Sequence, residues 1–187
     1  DLVGDNQSYN PVMQRGSIFA ERMRYPLWVK VIAENINRKN PIVDDFKAWA
    51  TKHFPTVSLV EPHAIATGQG FSLQGPTGED NQYMILPRES VLSLAQTDTD
   101  QLQQLIAILS VGARPAVLAN NAFILKHLQS MPSHVVNQIK VVNSIEQGEF
   151  EAVLHHGHQA ELLDLQKRIA TRSGAIVGIT HLASGDY

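Results

Sequence analysis

From Ser90 onward, short apolar runs alternate with stretches of helical period. Val91–Ala95, Ala116–Ala119, Ile139–Asn143, Glu151–His155 and Ala175–Thr180 read as buried strands. After the first run, Leu102, Leu105, Ile106 and Leu109 share one helix face. Ile124, Leu125 and Leu128 do the same after the second, and Leu162, Leu165 and Ile169 before the last. The punctuation agrees. Thr97 or Asp98 can cap the first helix, and Gly112 lies where its end needs one. Asn120 or Asn121 can cap the second, Pro132 stops it, Ser133 can cap a further turn, and Gly174 follows the third. Strands joined through helices form right-handed βαβ units and a parallel sheet. The pattern predicts an α/β fold over residues 90–187: a Rossmann-like, mostly parallel sheet with helices on both faces.

Upstream the pattern changes. Residues 1–16 carry Gly4, Asn6, Ser8, Asn10, Pro11 and Gly16 and read as a linker or frayed arm. Residues 17–89 read as a helical segment followed by a β-hairpin or flap. Pro26 suits a first helical position, and Trp28, Val31, Ile32, Asn35 and Ile36 form a helical face. Val43, Phe46, Trp49 and Ala50 form a second, with Asp44 and Asp45 where the helix dipole favours acid. Phe71–Gln74 and Gln82–Leu86 bracket a Gly/Pro/Asp/Asn cluster, which places the hairpin over about residues 71–86.

Composition narrows the chemistry. The 187 residues include no cysteine, which excludes disulfides, thiolate metal sites and a cysteine nucleophile. A formal charge of −3 gives no electrostatic footprint for nucleic acid. No apolar run approaches the roughly 20 residues of a membrane-spanning helix, so no membrane insertion is expected. The start, Asp1-Leu2-Val3-Gly4-Asp5, is unlike a signal peptide and lacks Met, which suggests a domain cut from a longer protein.

A Rossmann-like sheet raises nucleotide binding first. The loop Gln96–Asp100 has no glycine, and its carboxylates would repel a pyrophosphate. Gly68-Gln69-Gly70 is a lone pair of glycines, and Gly75-Pro76-Thr77-Gly78 lacks the lysine of a P-loop. His155, His156 and His158 are the one concentrated group of metal-ligand types, at the end of a strand where open α/β sheets place ligands. Neighbouring strand residues point to opposite sides, and no acidic partner is evident. These histidines define an alternative reading, a stand-alone ligand- or metal-binding α/β domain using the loops after the strands.

One stretch is more specific. Gly75-Pro76-Thr77-Gly78-Glu79, then Asn81, Leu86-Pro87-Arg88-Glu89 and Val91-Leu92, resembles a region near the C-terminus of long proline utilization A proteins. These bacterial flavoenzymes join proline dehydrogenase to L-glutamate γ-semialdehyde (pyrroline-5-carboxylate) dehydrogenase. The likeness continues through Leu109-Ser110-Val111-Gly112, Leu128-Gln129-Ser130-Met131-Pro132-Ser133, Phe150-Glu151-Ala152-Val153, His156-Gly157 and Gly174-Ala175-Ile176-Val177. Arg24-Tyr25-Pro26 and Phe46-Lys47-Ala48-Trp49 are similar upstream, so the resemblance covers about residues 20–185.

The resemblance implies a domain without catalysis of its own, its sheet like that of the aldehyde dehydrogenase superfamily. It implies no catalytic, cofactor-binding or metal-binding residue in this chain, with FAD and NAD held elsewhere in the parent enzyme. The implied partner is the aldehyde dehydrogenase module of the same polypeptide, on which the flap packs while the domain helps close the substrate-channelling cavity. Candidates for that interface are Gly75, Pro76, Thr77, Gly78, Glu79, Asn81, Leu86, Pro87, Arg88 and Glu89. A homodimeric parent is a further expectation. So is a cytoplasmic location, with peripheral association at the inner membrane. Family members also continue past the segment matching Ala183-Ser184-Gly185-Asp186.

Overall fold

A computed structural model of the chain describes residues 40–60, 70–73, 76–79 and 81–186. The arm expected over residues 1–16 and the helix expected around Trp28 and Ile36 lie outside them. The described residues belong to one compact unit, which spans 39–63 and 67–187.

Helix α1 (Pro41–His53) begins at an asparagine that serves two helices. Asn40 Oδ1 accepts from the N–H groups of Ile42 and Val43, at 3.2 and 3.3 Å, satisfying donors that a helix start leaves bare. Asn40 Nδ2 donates to the Leu109 carbonyl at 3.2 Å, at the far end of helix α2 (Asp98–Ser110). α1 therefore packs against the sheet domain: Val43, Phe46, Trp49 and Ala50 share one buried cluster with Leu102, Leu105, Ile106 and Leu109. The expected division after residue 89 does not separate α1 from the sheet, because the apolar stripe of α1 is buried on α2.

Strands β1 (Gly70–Leu73) and β2 (Asn81–Met84) pair antiparallel, with Gly70 opposite Met84 and Leu73 opposite Asn81. The remaining strands are β3 (Ser90–Ala95), β4 (Arg114–Leu118), β5 (Lys140–Val142), β6 (Ala152–His156) and β7 (Gly178–Leu182). They form one five-stranded sheet in the order β5-β4-β3-β6-β7, and every pair is parallel. The helices between them are α2, α3 (Ala122–His127), the short α4 (Ser133–Val136) and α5 (Gln159–Ala170). The chain is an α/β protein with a Rossmann-like sheet.

Local chemistry explains the boundaries. Thr97 caps α2 by accepting from the Asp100 N–H at 3.1 Å, and Asn121 caps α3 by accepting from Ile124 at 2.9 Å. Two residues past Ser110 the chain turns out of α2 at Gly112, whose φ of +84° is costly for any side chain. Ser133 is not a cap: Pro132 takes that position and makes no side-chain cap bond.

The last strand also differs from expectation. It begins at Gly178, after the Gly174 turn, and Ile176 is 98% exposed. Val177 alone of the 175–177 run reaches the core, and pairing with β6 starts one residue later at Ala152–Gly178. An apolar run gives a strand its place but not its register.

The core has two sides, as alternation along each strand requires. On one, Val117, Ile124 and Val135 join the cluster under α1 and α2. On the other, Leu92, Ala116, Val153, Phe150 and Val177 pack against Leu165 of α5. Arg172, just past α5, is structural: its Nη1 donates to the carbonyls of Ile145 and Gly148 at 2.6 and 2.9 Å, and its guanidinium lies 4.3 Å from the Phe150 ring centre.

Candidate functional site

β3 leads to β4 on one side, while β6 lies on the other, so the sheet has its switch point between β3 and β6. Open α/β sheets place ligands beyond the strand ends at such a point. A cleft of about 660 Å³ lies there, with Gln96, Asp98, Asn121, His155, Glu161 and Asp164 in its walls.

His155 is buried in this wall, on the α5 side of the sheet, where β6 and β7 set it opposite His181. The two Nδ1 atoms are 3.0 Å apart and the rings stack at 5.1 Å. His155 Nε2 lies 3.9 Å from Glu161 Oε1, and the other oxygen of Glu161 accepts from Gln96 Nε2 at 2.6 Å. Burial holds the His155 imidazole below its usual range. His181 pushes the same way, Glu161 opposes, and His156 adds a smaller push downward. Gly157 makes this packing possible, because a Cβ there would stand 2.8 Å from Glu161 Oε1 and 3.1 Å from the His155 ring.

His156 points to the opposite side, into a polar seam beneath α2. Its Nδ1 lies 2.8 Å from Gln104 Nε2, and its Nε2 lies 2.9 Å from the Asp186 carbonyl oxygen. His158 is exposed at the start of α5 and makes no side-chain cap bond. The structure therefore sends the three histidines to three different surroundings. Among the described residues, no group of three or more His, Cys, Asp or Glu side chains is placed to hold a metal ion.

The loop after β3 is built against an anion. Thr97 Oγ1 takes the Asp100 N–H, and Asp98 and Asp100 bring two carboxylates into the first turn of α2. A pyrophosphate needs bare N–H groups and no negative neighbours at that position. Arg168 also stands in its walls but is paired with Glu146 at 2.7 Å, so with Asp98, Glu161 and Asp164 beside it the cleft suits a neutral or cationic polar group better than a phosphate.

The motif residues of the hairpin form a separate place. Pro76, Thr77, Gly78 and Glu79 make its turn: the Pro76 carbonyl accepts from the Glu79 N–H at 3.1 Å, and Gly78 has φ +93°. Asn81 Nδ2 donates to Glu79 Oε1 at 3.3 Å. Gly75 lies outside the described residues. Beyond β2, Leu86, Pro87, Arg88 and Glu89 are exposed, and the Glu89 carbonyl accepts from the Arg114 N–H at 3.1 Å at the foot of the sheet. Tyr83, Met84, Ile85 and Leu86 form an exposed apolar run, and Leu86 is 68% exposed.

Sequence reasoning missed the seam under α2. Asp100, Gln101, Gln103 and Gln104 are all buried although polar. The signal was visible: a helix with apolar residues at 102, 105, 106 and 109 has polar residues at the positions between them that never reach a fully polar face.

No family model matches the chain. The bifunctional protein PutA of Escherichia coli K12 is 36% identical over 116 residues, covering 61% of this chain. That of Klebsiella aerogenes is 36% identical over 143 residues, covering 74%. The chain spans only 9 to 11% of the length of these relatives. Among solved structures, proline utilization A with proline bound in remote sites aligns over 75% of this chain and 15% of its own, at 18% identity and a TM-score of 0.49. A mutant of Bradyrhizobium japonicum proline utilization A aligns over the same shares at 17% identity and a TM-score of 0.47.

Proposed function

We propose that this chain, whose sequence relatives are bifunctional PutA proteins, is a non-catalytic C-terminal domain of an enzyme that oxidises proline to glutamate. Its role is to dock on the aldehyde dehydrogenase module of the same polypeptide and help close the cavity that carries the intermediate between active sites. FAD and NAD belong to other parts of that polypeptide, which acts in the cytoplasm. The observation that carries this reading is the 36% identity to PutA across 143 residues. Three further features of the chain are compatible with it. The loop after β3 disfavours a pyrophosphate, the chain has no cysteine, and Tyr83, Met84, Ile85 and Leu86 form an exposed apolar run of the kind a docking face needs. Among the described residues, no helix is long and apolar enough to cross a membrane.

The test is deletion of this segment from the full-length enzyme, followed by coupled turnover of proline to glutamate. The expected result is a longer lag before glutamate appears, with proline oxidation retained. An unchanged lag and unchanged stability would reject the reading. The cleft of about 660 Å³ at the switch point supports the second reading, a ligand-binding domain. A thermal-shift screen against NAD, NADP, proline, glutamate and divalent metals separates the two, since a ligand of the folded state raises the melting temperature by mass action.

A further inference from the structure

The seam under α2 has a direction, and main-chain groups set it. The Ile124 N–H needs an oxygen, so Asn121 gives it Oδ1 and turns its nitrogen to Gln101 Oε1, 2.7 Å away. The Leu94 carbonyl needs a donor, so Gln104 turns its nitrogen there, at 2.9 Å, and also to His156 Nδ1 at 2.8 Å. Gln104 Oε1 is thereby left for the Ser93 hydroxyl at 2.6 Å, and Ser93 in turn accepts from Gln101 Nε2. The Asp186 carbonyl needs a donor as well, which His156 Nε2 supplies at 2.9 Å. All these bonds then donate the same way, from Asn121 through Gln101, Ser93, Gln104 and His156 to Asp186. Bonds aligned in series polarise one another, and reversing one member opposes its neighbours. His156 must carry its proton on Nε2 and present a bare Nδ1 to Gln104.

A second clasp lies beside the first. Asp100 is 1% exposed, and its carboxylate accepts from the Ser184 hydroxyl and, at 3.0 Å, from the Gly185 N–H. The segment after β7 is thus held at two points, on the first turn of α2 and on the end of β6.

We propose that residues 183–186 are a strap latched across the ends of β3 and β6, and that the relay from Asn121 to Asp186 couples this latch to the cap of α3 in the wall of the cleft. What rearranges Asn121 loosens the strap, and what pulls the strap away unsettles the cap. The coupling is independent of what the domain docks against. It links the cleft to the direction in which the chain leaves the sheet.

The test uses nitrogen NMR of the histidine rings and amide hydrogen exchange on the full 187-residue chain. His156 is expected to show a bare Nδ1 and a protonated Nε2. Asn121→Asp keeps an oxygen for the α3 cap but sets another oxygen against Gln101 Oε1, reversing the first bond of the relay. The His156 signature is expected to change, and the Gly185 amide to exchange at least about tenfold faster, the lower end for losing one hydrogen bond to a charged acceptor. Asn121→Ser, which keeps the cap and removes the amide donor, provides the same reading if the first variant folds poorly. Ser184→Ala is the local control: it removes only the hydroxyl bond to Asp100 and keeps both the Gly185 N–H bond to Asp100 and the His156–Asp186 contact, so the strap stays latched and the His156 signature stays in place. A His156 protonated on Nδ1 in the starting chain overturns the proposal. So does an Asn121→Asp chain with unchanged His156 and Gly185, or one in which all sheet amides quicken equally.

Discussion

The sheet and the hairpin use similar residues and treat them in opposite ways. In β3, Val91, Leu92 and Ser93 are buried, and each strand residue finds a neighbour on its own face of the sheet. In β2 and the residues after it, Tyr83, Met84, Ile85 and Leu86 are exposed in succession. A two-stranded ribbon is marginal by itself, and one meant only for solvent would alternate apolar with polar positions. The sheet is explained within this chain. The sheet is where the described residues bury their apolar side chains, and the hairpin is where they expose them, which is why the proposed docking is assigned to the hairpin and folding to the sheet.

The largest effect should come from breaking the self-contained side. Phe46 is 0% exposed and ties α1 to α2, so Phe46→Ala removes a large ring from the centre of the first cluster. The expected loss is about 3–5 kcal/mol, from lost burial and the cavity left behind. Urea unfolding of the 187-residue chain measures it, with far-ultraviolet circular dichroism as the probe. A loss under about 1 kcal/mol would mean that α1 does not belong to the sheet's core, against its burial on α2.

The sheet's legibility follows the same line. Val91, Leu92, Ala116 and Val117 were readable as strand because burial on both faces makes short runs almost wholly apolar, with Ser93 the small polar exception in β3. The boundaries at Gly112 and, to within one residue, at Thr97 and Asn121 were readable because caps act locally. The start of β7 was not, since Ala175, Ile176 and Val177 are as apolar as Gly178-Ile179-Thr180 and only pairing with β6 chooses between them. Of the candidate site, the separation of His155 from His156 was visible in strand alternation. His181 and Asp186 were not, because tertiary pairing brings them to the histidines from 26 and 30 residues away. The turn at Pro76–Glu79 was marked by its own Gly and Pro. The surface position of Leu86 followed from the motif resemblance, which puts it among the interface candidates, and not from its apolar pattern, which alone reads as buried strand.

A middle-sized effect should appear on the sheet side as acid sensitivity. Burial, aided by His181, depresses the His155 pKa in the folded chain, while the unfolded chain titrates near the ordinary value of 6.5. As pH falls through that value, the unfolded state takes up the proton first. Stability is therefore fully present above about 6.5 and declines below it, until the folded imidazole also protonates. His127 is shifted the same way by burial and Lys126, so the two histidines must be separated. Melting temperatures followed from about pH 8 to about pH 5 should fall less for His155→Gln than for the starting chain. Parallel curves would place the acid sensitivity elsewhere and leave the His155–His181 pair without energetic weight.

The smallest effect is expected on the hairpin, and its smallness is informative. Leu86 is 68% exposed, so Leu86→Ser removes little that the isolated chain buries. Its stability should change by less than about 0.5 kcal/mol, the range of surface substitutions that touch no core, cap or buried polar group. In the full-length enzyme the same substitution meets the proposed dehydrogenase surface and should lengthen the lag of coupled turnover. A residue that serves folding would show the reverse order, with a stability loss in the isolated chain that accounts for any loss in the whole enzyme. Leu86→Ser measured in both settings therefore sets the two regions against each other. A loss above about 1 kcal/mol in the isolated chain would place the hairpin with the sheet and remove the reason for assigning docking to it.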